Sequence, residues 1–88
     1  MENNTIINGL IIDDEPHCQD HLKTLIQENC PEIQVIGVLS SVREAESFIR
    51  KRLPDLIFLD VMMPGRNGFS LIDSIGRTNC PIIFTTAH

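Results

Sequence analysis

The sequence predicts an α/β domain built on a parallel sheet, and three observations lead to this prediction. Four short apolar runs alternate with segments that carry apolar residues at helical spacing. The runs are nearly continuous, as expected for parallel strands that are covered on both faces. Three of them end in acidic or hydroxyl side chains. Alternating strands and helices are typical of βαβ units, and 88 residues suffice for one small domain at most.

The composition is that of an ordinary globular protein. Hydrophobic residues make up 42% of the chain and charged residues 22%, which excludes the disordered and collagen-like classes. The chain contains four Phe and neither Trp nor Tyr. The core is therefore expected to consist mainly of Ile, Leu and Val.

The first unit is a strand followed by a helix. Residues 6–12 form an apolar run that stops at three acidic residues, and Pro16 suits the first turn of a helix. The following segment predicts an amphipathic helix that ends near Cys30 and turns one face toward the sheet. Its apolar stripe comprises Cys18, Leu22, Leu25 and Ile26.

The second unit repeats this order. Residues 33–39 are rich in β-branched side chains and predict a strand, which Gln34 and Gly37 make the least buried of the set and suited to a sheet edge. Ser41 and Glu44 have the spacing of a capping box, which predicts the start of a helix before Pro54. The apolar stripe of this helix comprises Ala45, Phe48, Ile49 and Leu53.

Two more strands follow. Residues 55–60 form a third apolar run, and the Pro and Gly residues after it predict a loop. Apolar residues between 69 and 75 predict a third helix that stops at Gly76. Residues 81–86 predict the fourth strand.

Polar side chains at the strand ends predict a shared site. Asp13 and Asp14 follow the first strand, Asp60 ends the third, and Thr85 and Thr86 end the fourth. The carboxyl ends of parallel strands meet at one edge of a sheet, where ligands bind. Two carboxylates about 4 Å apart repel by roughly 4 kcal/mol at an effective dielectric constant near 20, so a cation is expected among them.

The chemistry of these side chains favours a hard divalent cation. Mg²⁺ binds carboxylate and carbonyl oxygens, and Mn²⁺ is the alternative, whereas no Cys or His is placed to complete a zinc site. A carboxylate beside such a cation can attack phosphorus, which makes Asp60 the candidate nucleophile. The hydroxyl of Thr86 is expected to bond a phosphoryl oxygen.

Structural roles remain open for some of these residues. Asp13 or Asp14 alone would suit the N-cap of a helix, and Thr86 alone would be an ordinary strand residue. The pair His17 and His21 lacks a third ligand and is expected to be solvated. The presence of Asp60 at the end of a separate apolar strand favours the site over the cap.

Three motifs together resemble the receiver domains of two-component response regulators. They are the acidic pair Asp13-Asp14, the segment DVMMPGRNG at residues 60–68 and the pair Thr86-Ala87, in the order and at about the spacing of that family. The resemblance covers the whole chain. It implies that Asp60 is the phosphoacceptor, Asp14 a direct metal ligand, Asp13 a ligand chiefly through water, Met62 a ligand through its backbone carbonyl, and Thr86 the switch hydroxyl.

The resemblance also implies a fold. Receiver domains are flavodoxin-like and doubly wound, with strand order 2-1-3-4-5. Residues 1–88 are expected to form one receiver domain that is incomplete, because the family's fourth helix, fifth strand with its Lys, and fifth helix are missing. The ending TTAH is similar to that of receivers in LytTR-type regulators.

Two functions follow, neither of them that of a turnover enzyme. The first is a signalling switch that takes a phosphoryl group on Asp60 from a histidine kinase or phosphotransfer protein with the help of Mg²⁺. The alternative is an interaction module, or an inactive receiver fragment, that binds the metal without switching.

Charge and cysteine content bear on partners and location. The net charge of −5 argues against binding of nucleic acid, and the basic run at residues 50–52 suits a helix end. Three cysteines without a CxxC pair, and no apolar leader, favour a cytoplasmic protein without a membrane segment. An open fourth strand predicts self-association.

Overall fold

The computed structural model describes residues 5–61, residue 73 and residues 80–85. As far as residue 60 the chain forms strands and helices in alternation, as predicted. The described strands and helices are β1 (Ile7–Ile12), α1 (Pro16–Asn29), β2 (Ile33–Leu39), α2 (Val42–Lys51), β3 (Leu56–Asp60) and β4 (Ile82–Thr85). Most of the predicted third helix lies outside the described residues, as do Met62 and Thr86.

The strands form one parallel sheet in the order β2-β1-β3-β4. This order confirms the predicted arrangement for the first four strands. The edge position of β2 is also confirmed. The prediction that β2 is the least buried strand was wrong, because two of the four residues of β4 are exposed and only one of the seven residues of β2 is. The central strand β1 is far less exposed, and its last four residues, 9–12, are all buried.

Alternating side chains of the central strands build a core on each face of the sheet. On one face Leu10 and Ile12 pack with α2 residues Val42 and Ala45. On the other face Ile11 and Phe58 pack with Ile26 of α1. Successive strand residues point to opposite faces, so a continuous apolar run supplies both cores. The two helices therefore cover opposite faces, as in a doubly wound fold.

The apolar stripe of α1 matches the prediction only in part, since Cys18 is half-buried but does not pack with the buried residues on this face of the sheet. Ile26 is buried, and Leu22 and Cys30 pack beside it, whereas Leu25 is 42% exposed. The contacting residues are four apart, and a spacing of four follows one face of the helix. Leu25 falls on the flank of this face, so its assignment to the stripe was wrong.

The second helix begins as predicted. Ser41 is the N-cap, and its Oγ accepts a hydrogen bond from the backbone N–H of Glu44 at 3.1 Å. The Glu44 carboxylate accepts from the backbone N–H of Ser40, one residue earlier than a capping box requires. Leu53 lies beyond the helix end and is 48% exposed, so its assignment to the stripe was wrong.

Gly37 allows a close approach between the edge strand and α2. Ile36 is an extra residue in the pairing with β1, since Gly9 pairs with Val35 and Leu10 with Gly37. A Cβ atom on Gly37 would lie 2.9 Å from Leu10 Cδ1 and 3.0 Å from Phe48 Cε2. The glycine therefore lets the Phe48 ring pack directly on the strand.

Candidate metal centre

Three carboxylates lie together at the carboxyl end of the sheet. Ile12 of β1 pairs with Leu59 of β3. Asp13 and Asp60 are the next residues of the two parallel chains, so they lie side by side. One carboxylate oxygen from each of Asp13, Asp14 and Asp60 lies within 4.8 Å of the others. The structure thus brings together the acidic residues that the sequence predicted to meet.

Burial of this cluster is uneven. Asp13 is 4% exposed and Asp60 is 3% exposed, whereas Asp14 is open to solvent. Buried carboxylates are uncommon unless a partner compensates for the lost hydration. The cluster therefore has two fixed ligand groups at its base and one accessible group at its rim.

The N-cap of α1 is a different acidic residue. Glu15 caps the helix, and its side chain accepts a hydrogen bond from the backbone N–H of His17 at 2.8 Å. The alternative role of Asp13 or Asp14 as the helix cap was therefore wrong. With Glu15 at the helix start, the two preceding carboxylates can face the cluster.

Burial raises the pKa of Asp13 above its ordinary value. The backbone N–H of Glu15 donates to Asp13 Oδ1 at 2.9 Å and opposes this shift. The negative charge of Asp60, and then that of Asp14, raises the pKa further. A bound cation would relieve the repulsion among these three carboxylates.

The donor set fits a hard divalent cation. All three side chains offer carboxylate oxygens, the donors that Mg²⁺ and Mn²⁺ prefer. His17 and His21 are exposed, as predicted for solvated helix residues. A Mg²⁺ ion would be held by Asp13, Asp14 and Asp60.

The fourth strand reaches the same edge. Thr85 pairs with Asp60 in the sheet, and the backbone N–H of Val61 donates to the Thr85 carbonyl at 3.2 Å. Thr86, the predicted switch hydroxyl, and Met62, the predicted carbonyl ligand, lie outside the described residues. Their roles stay predictions.

The sequence did not predict that two residues of α1, Cys18 and Gln19, lie near the cluster. Burial, and then the charge of Asp13, raises the pKa of the Cys18 thiol, which favours the neutral form. The side-chain amide of Gln19 donates hydrogen bonds to the backbone carbonyl of Asp13 and to Ser40 Oγ. Only the three-dimensional structure reveals these neighbours, since no local pattern shows which residues of α1 lie beside the cluster.

A comparison with known protein families shows to which family the chain belongs. The family model of the response regulator receiver domain matches residues 10–88. The chain belongs to this family. It is a receiver domain of two-component response regulators and, as such, a signalling module.

Curated relatives agree with this assignment. The receiver domain is 34% identical over 83 residues to transcriptional regulatory protein BtsR of Escherichia coli K12, covering 93% of this chain and 34% of BtsR. It is 35% identical over 85 residues to sensory transduction protein LytT of Bacillus anthracis, covering 94% of this chain and 34% of LytT. The similarity to LytT confirms the predicted relationship to LytTR-type regulators. The chain spans about a third of the length of these relatives.

Solved structures show the same fold. The solution structure of the receiver domain of Erythrobacter litoralis PhyR has a TM-score of 0.80 and 28% identity, covering 94% of this chain and 64% of that one. The receiver domain of Mycobacterium tuberculosis NarL has a TM-score of 0.81 at 21% identity, covering 96% of this chain and 68% of that one. The flavodoxin-like fold is thereby confirmed. Across the described residues, neither helix is long and apolar enough to cross a membrane.

Proposed function

We propose that this receiver domain accepts a phosphoryl group on Asp60 from a histidine kinase or phosphotransfer protein, in a step that depends on Mg²⁺. The observation that carries the proposal is the cluster of Asp13, Asp14 and Asp60 at the carboxyl edge of the sheet. The family assignment supports it independently.

The transfer would use the side chain of Asp60 directly. One carboxylate oxygen attacks phosphorus and forms an O–P bond, while the P–N bond of a donor phosphohistidine breaks. The imidazole nitrogen keeps the electron pair of that bond and takes up a proton from water. Asp60 ends β3 and is almost fully buried, so its backbone is fixed and its carboxylate needs little reorganisation.

The neighbouring residues would prepare the site. Asp13 and Asp14 would hold the cation from one side, and the backbone carbonyl of Met62 would be a further ligand. A bound divalent cation would supply the positive charge that stabilises the phosphoryl oxygens during transfer. The hydroxyl of Thr86 would then donate to one of these oxygens and convey phosphorylation to the surface of the domain.

Phosphorylation by a small donor tests the proposal. The purified chain is incubated with acetyl phosphate and Mg²⁺, and its intact mass is measured. The expected result is the addition of one phosphoryl group, which is lost in Asp60→Asn and in EDTA. Asp20→Asn, which alters an exposed carboxylate of α1, is the matched control and should be phosphorylated like the wild type.

Two results would count against phosphorylation of Asp60. Phosphorylation that persists in Asp60→Asn would contradict the assignment of the phosphoacceptor. Binding of Mg²⁺ to the wild type without any phosphorylation would favour the alternative, an interaction module that binds the metal and does not switch.

The proposal includes self-association through β4. In the described part of the chain, β3 is the strand that pairs with β4. Ile83 and Phe84 on β4 are 46% and 52% exposed. Exposed apolar side chains on an edge strand favour pairing with a second chain.

A further inference from the structure

Gln19 connects two turns at the carboxyl edge of the sheet. It lies on α1 and is half-buried, and its side-chain Nε2 donates to the backbone carbonyl of Asp13 and to Ser40 Oγ, the latter at 3.2 Å. A side-chain amide carries two hydrogens on its nitrogen. Both hydrogen bonds can therefore form at the same time.

The second of these turns is itself fixed. The backbone N–H of Ser40 donates to Glu44 Oε1 at 2.9 Å, and the backbone N–H of Glu44 donates to Ser41 Oγ at 3.1 Å. These bonds attach residues 40 and 41 to the first turn of α2. Gln19 thus links the Asp13 carbonyl to the start of a second helix.

The Asp13 carbonyl belongs to the peptide group that joins two candidate metal ligands, Asp13 and Asp14. A peptide group is planar, so the direction of this carbonyl sets the plane that joins Asp13 to Asp14. Asp13 is also held by its backbone N–H, which donates to the Leu39 carbonyl at 2.9 Å, and by its Oδ1, which accepts from Glu15. A rotation of the peptide plane would still move the carboxylate of Asp14.

We infer that Gln19 is a positioning residue for the metal centre, because its amide fixes the peptide plane between Asp13 and Asp14 and holds their carboxylates in place for a divalent cation. The inference rests on the proposed function. Gln19 itself is assigned no contact with the cation or the phosphoryl group. Its effect should therefore be on metal affinity, with little effect on phosphoryl transfer once the metal is bound.

Isothermal titration with Mg²⁺ tests this inference. Gln19→Met keeps the length of the side chain and its helix propensity while removing the donor. We expect the Kd for Mg²⁺ to rise about five-fold, which corresponds to about 1 kcal/mol. The rate of phosphorylation by acetyl phosphate should fall at low Mg²⁺ and return to the wild-type rate at saturating Mg²⁺.

Gln27→Met is the matched control, because Gln27 is an exposed residue of the same helix. Its Kd for Mg²⁺ should equal that of the wild type. A purely structural role of Gln19 predicts a lower melting temperature with an unchanged Kd, and this result would overturn the inference. If the wild type fails to bind Mg²⁺, the proposed function itself is contradicted; if it binds and Gln19→Met binds equally well, only the inference is contradicted.

A second variant, Ser40→Ala, tests the same inference if Gln19→Met does not fold. Ser40→Ala removes the other acceptor of the Gln19 amide from an exposed turn. It should raise the Kd for Mg²⁺ about two-fold, as expected for partial loss of a hydrogen-bonded link. An unchanged Kd in Ser40→Ala would overturn the inference.

Discussion

Asp13 combines two properties that conflict in the absence of a cation. Its side chain is buried at the end of a central strand, and it lies beside the carboxylates of Asp60 and Asp14. Burial and like charge both disfavour its ionised form, and its pKa is raised accordingly. A residue that costs stability in this way is expected where function requires it.

Replacement of this carboxylate should stabilise the metal-free domain. Asp13→Asn keeps an oxygen that can accept from Glu15 and removes one negative charge. Relief of about 1 kcal/mol of repulsion raises the melting temperature of a domain of this size by about 4–8 °C. Scanning calorimetry in EDTA at neutral pH should show this rise, and added Mg²⁺ should then stabilise the variant less than the wild type. An unchanged or lower melting temperature would contradict the account, with Asp20→Asn as control.

The pH dependence of stability follows from the same raised pKa. The folded state holds the Asp13 proton more tightly than the unfolded state, whose ordinary pKa is 3.8. Between that value and the raised value, the contribution of Asp13 to stability falls as the pH rises, and above the raised value the loss is complete. The melting temperature of the wild type relative to Asp13→Asn should therefore fall through this window and then level off. A difference that grows in the opposite direction would exclude this mechanism.

The sequence predicted the acidic cluster but not the cap at Glu15 or the hydrogen bonds of Gln19 beside it. Asp13, Asp14 and Asp60 could be predicted together because the carboxyl ends of parallel strands share one edge. The cap at Glu15 could not, since three successive acidic residues are each able to cap a helix. The contacts of Gln19 depend on how α1 sits against the turn after β2, which no local pattern determines.

The helices show what periodicity determines and what it leaves open. Apolar spacing predicted both helices and most of their buried side chains. Leu25 and Leu53 were assigned wrongly because spacing identifies a stripe without fixing its edges or the last helical turn. Val42, which is buried, was missed because it lies at the first position after the cap, where polar residues are common.

The start of α2 offers a test at the scale of one element. Ser41→Ala removes the N-cap oxygen that accepts from Glu44 and should lower the free energy of unfolding by about 1 kcal/mol. Urea denaturation measures this change. Ser47→Ala, at an exposed position inside the same helix, should leave stability unchanged or slightly higher. Equal effects of the two substitutions would contradict the role of Ser41.

The arrangement of the whole sheet was predicted from two kinds of information, the apolar runs and the resemblance to receiver domains. Continuous apolar strands predicted that both faces are covered, and the two cores confirm this prediction. The strand order β2-β1-β3-β4 followed from the resemblance to receiver domains, because apolar runs alone do not reveal which strands are neighbours. The order matters for function, since it sets Asp13 beside Asp60.

The exposed apolar residues of β4 lead to a prediction for the whole molecule. We expect the sedimentation coefficient of this chain to rise with concentration as β4 edges associate. Phe84→Lys should reduce this rise, because a charge on an edge strand opposes pairing. Leu25→Lys, which alters an exposed apolar residue of α1, should not. A constant monomeric value for the wild type at high concentration would rule out the association.

The location of a bound paramagnetic ion tests most directly whether the three carboxylates share one cation. Small amounts of Mn²⁺ are added to the ¹⁵N-labelled chain, and the loss of amide signals is followed by NMR. If the three carboxylates bind one ion, signals of residues 12–15 and 59–61 should broaden first, excess Mg²⁺ should restore them, and Asp60→Asn should weaken the effect. Broadening centred on other acidic residues, such as Glu28 and Glu32, would contradict it.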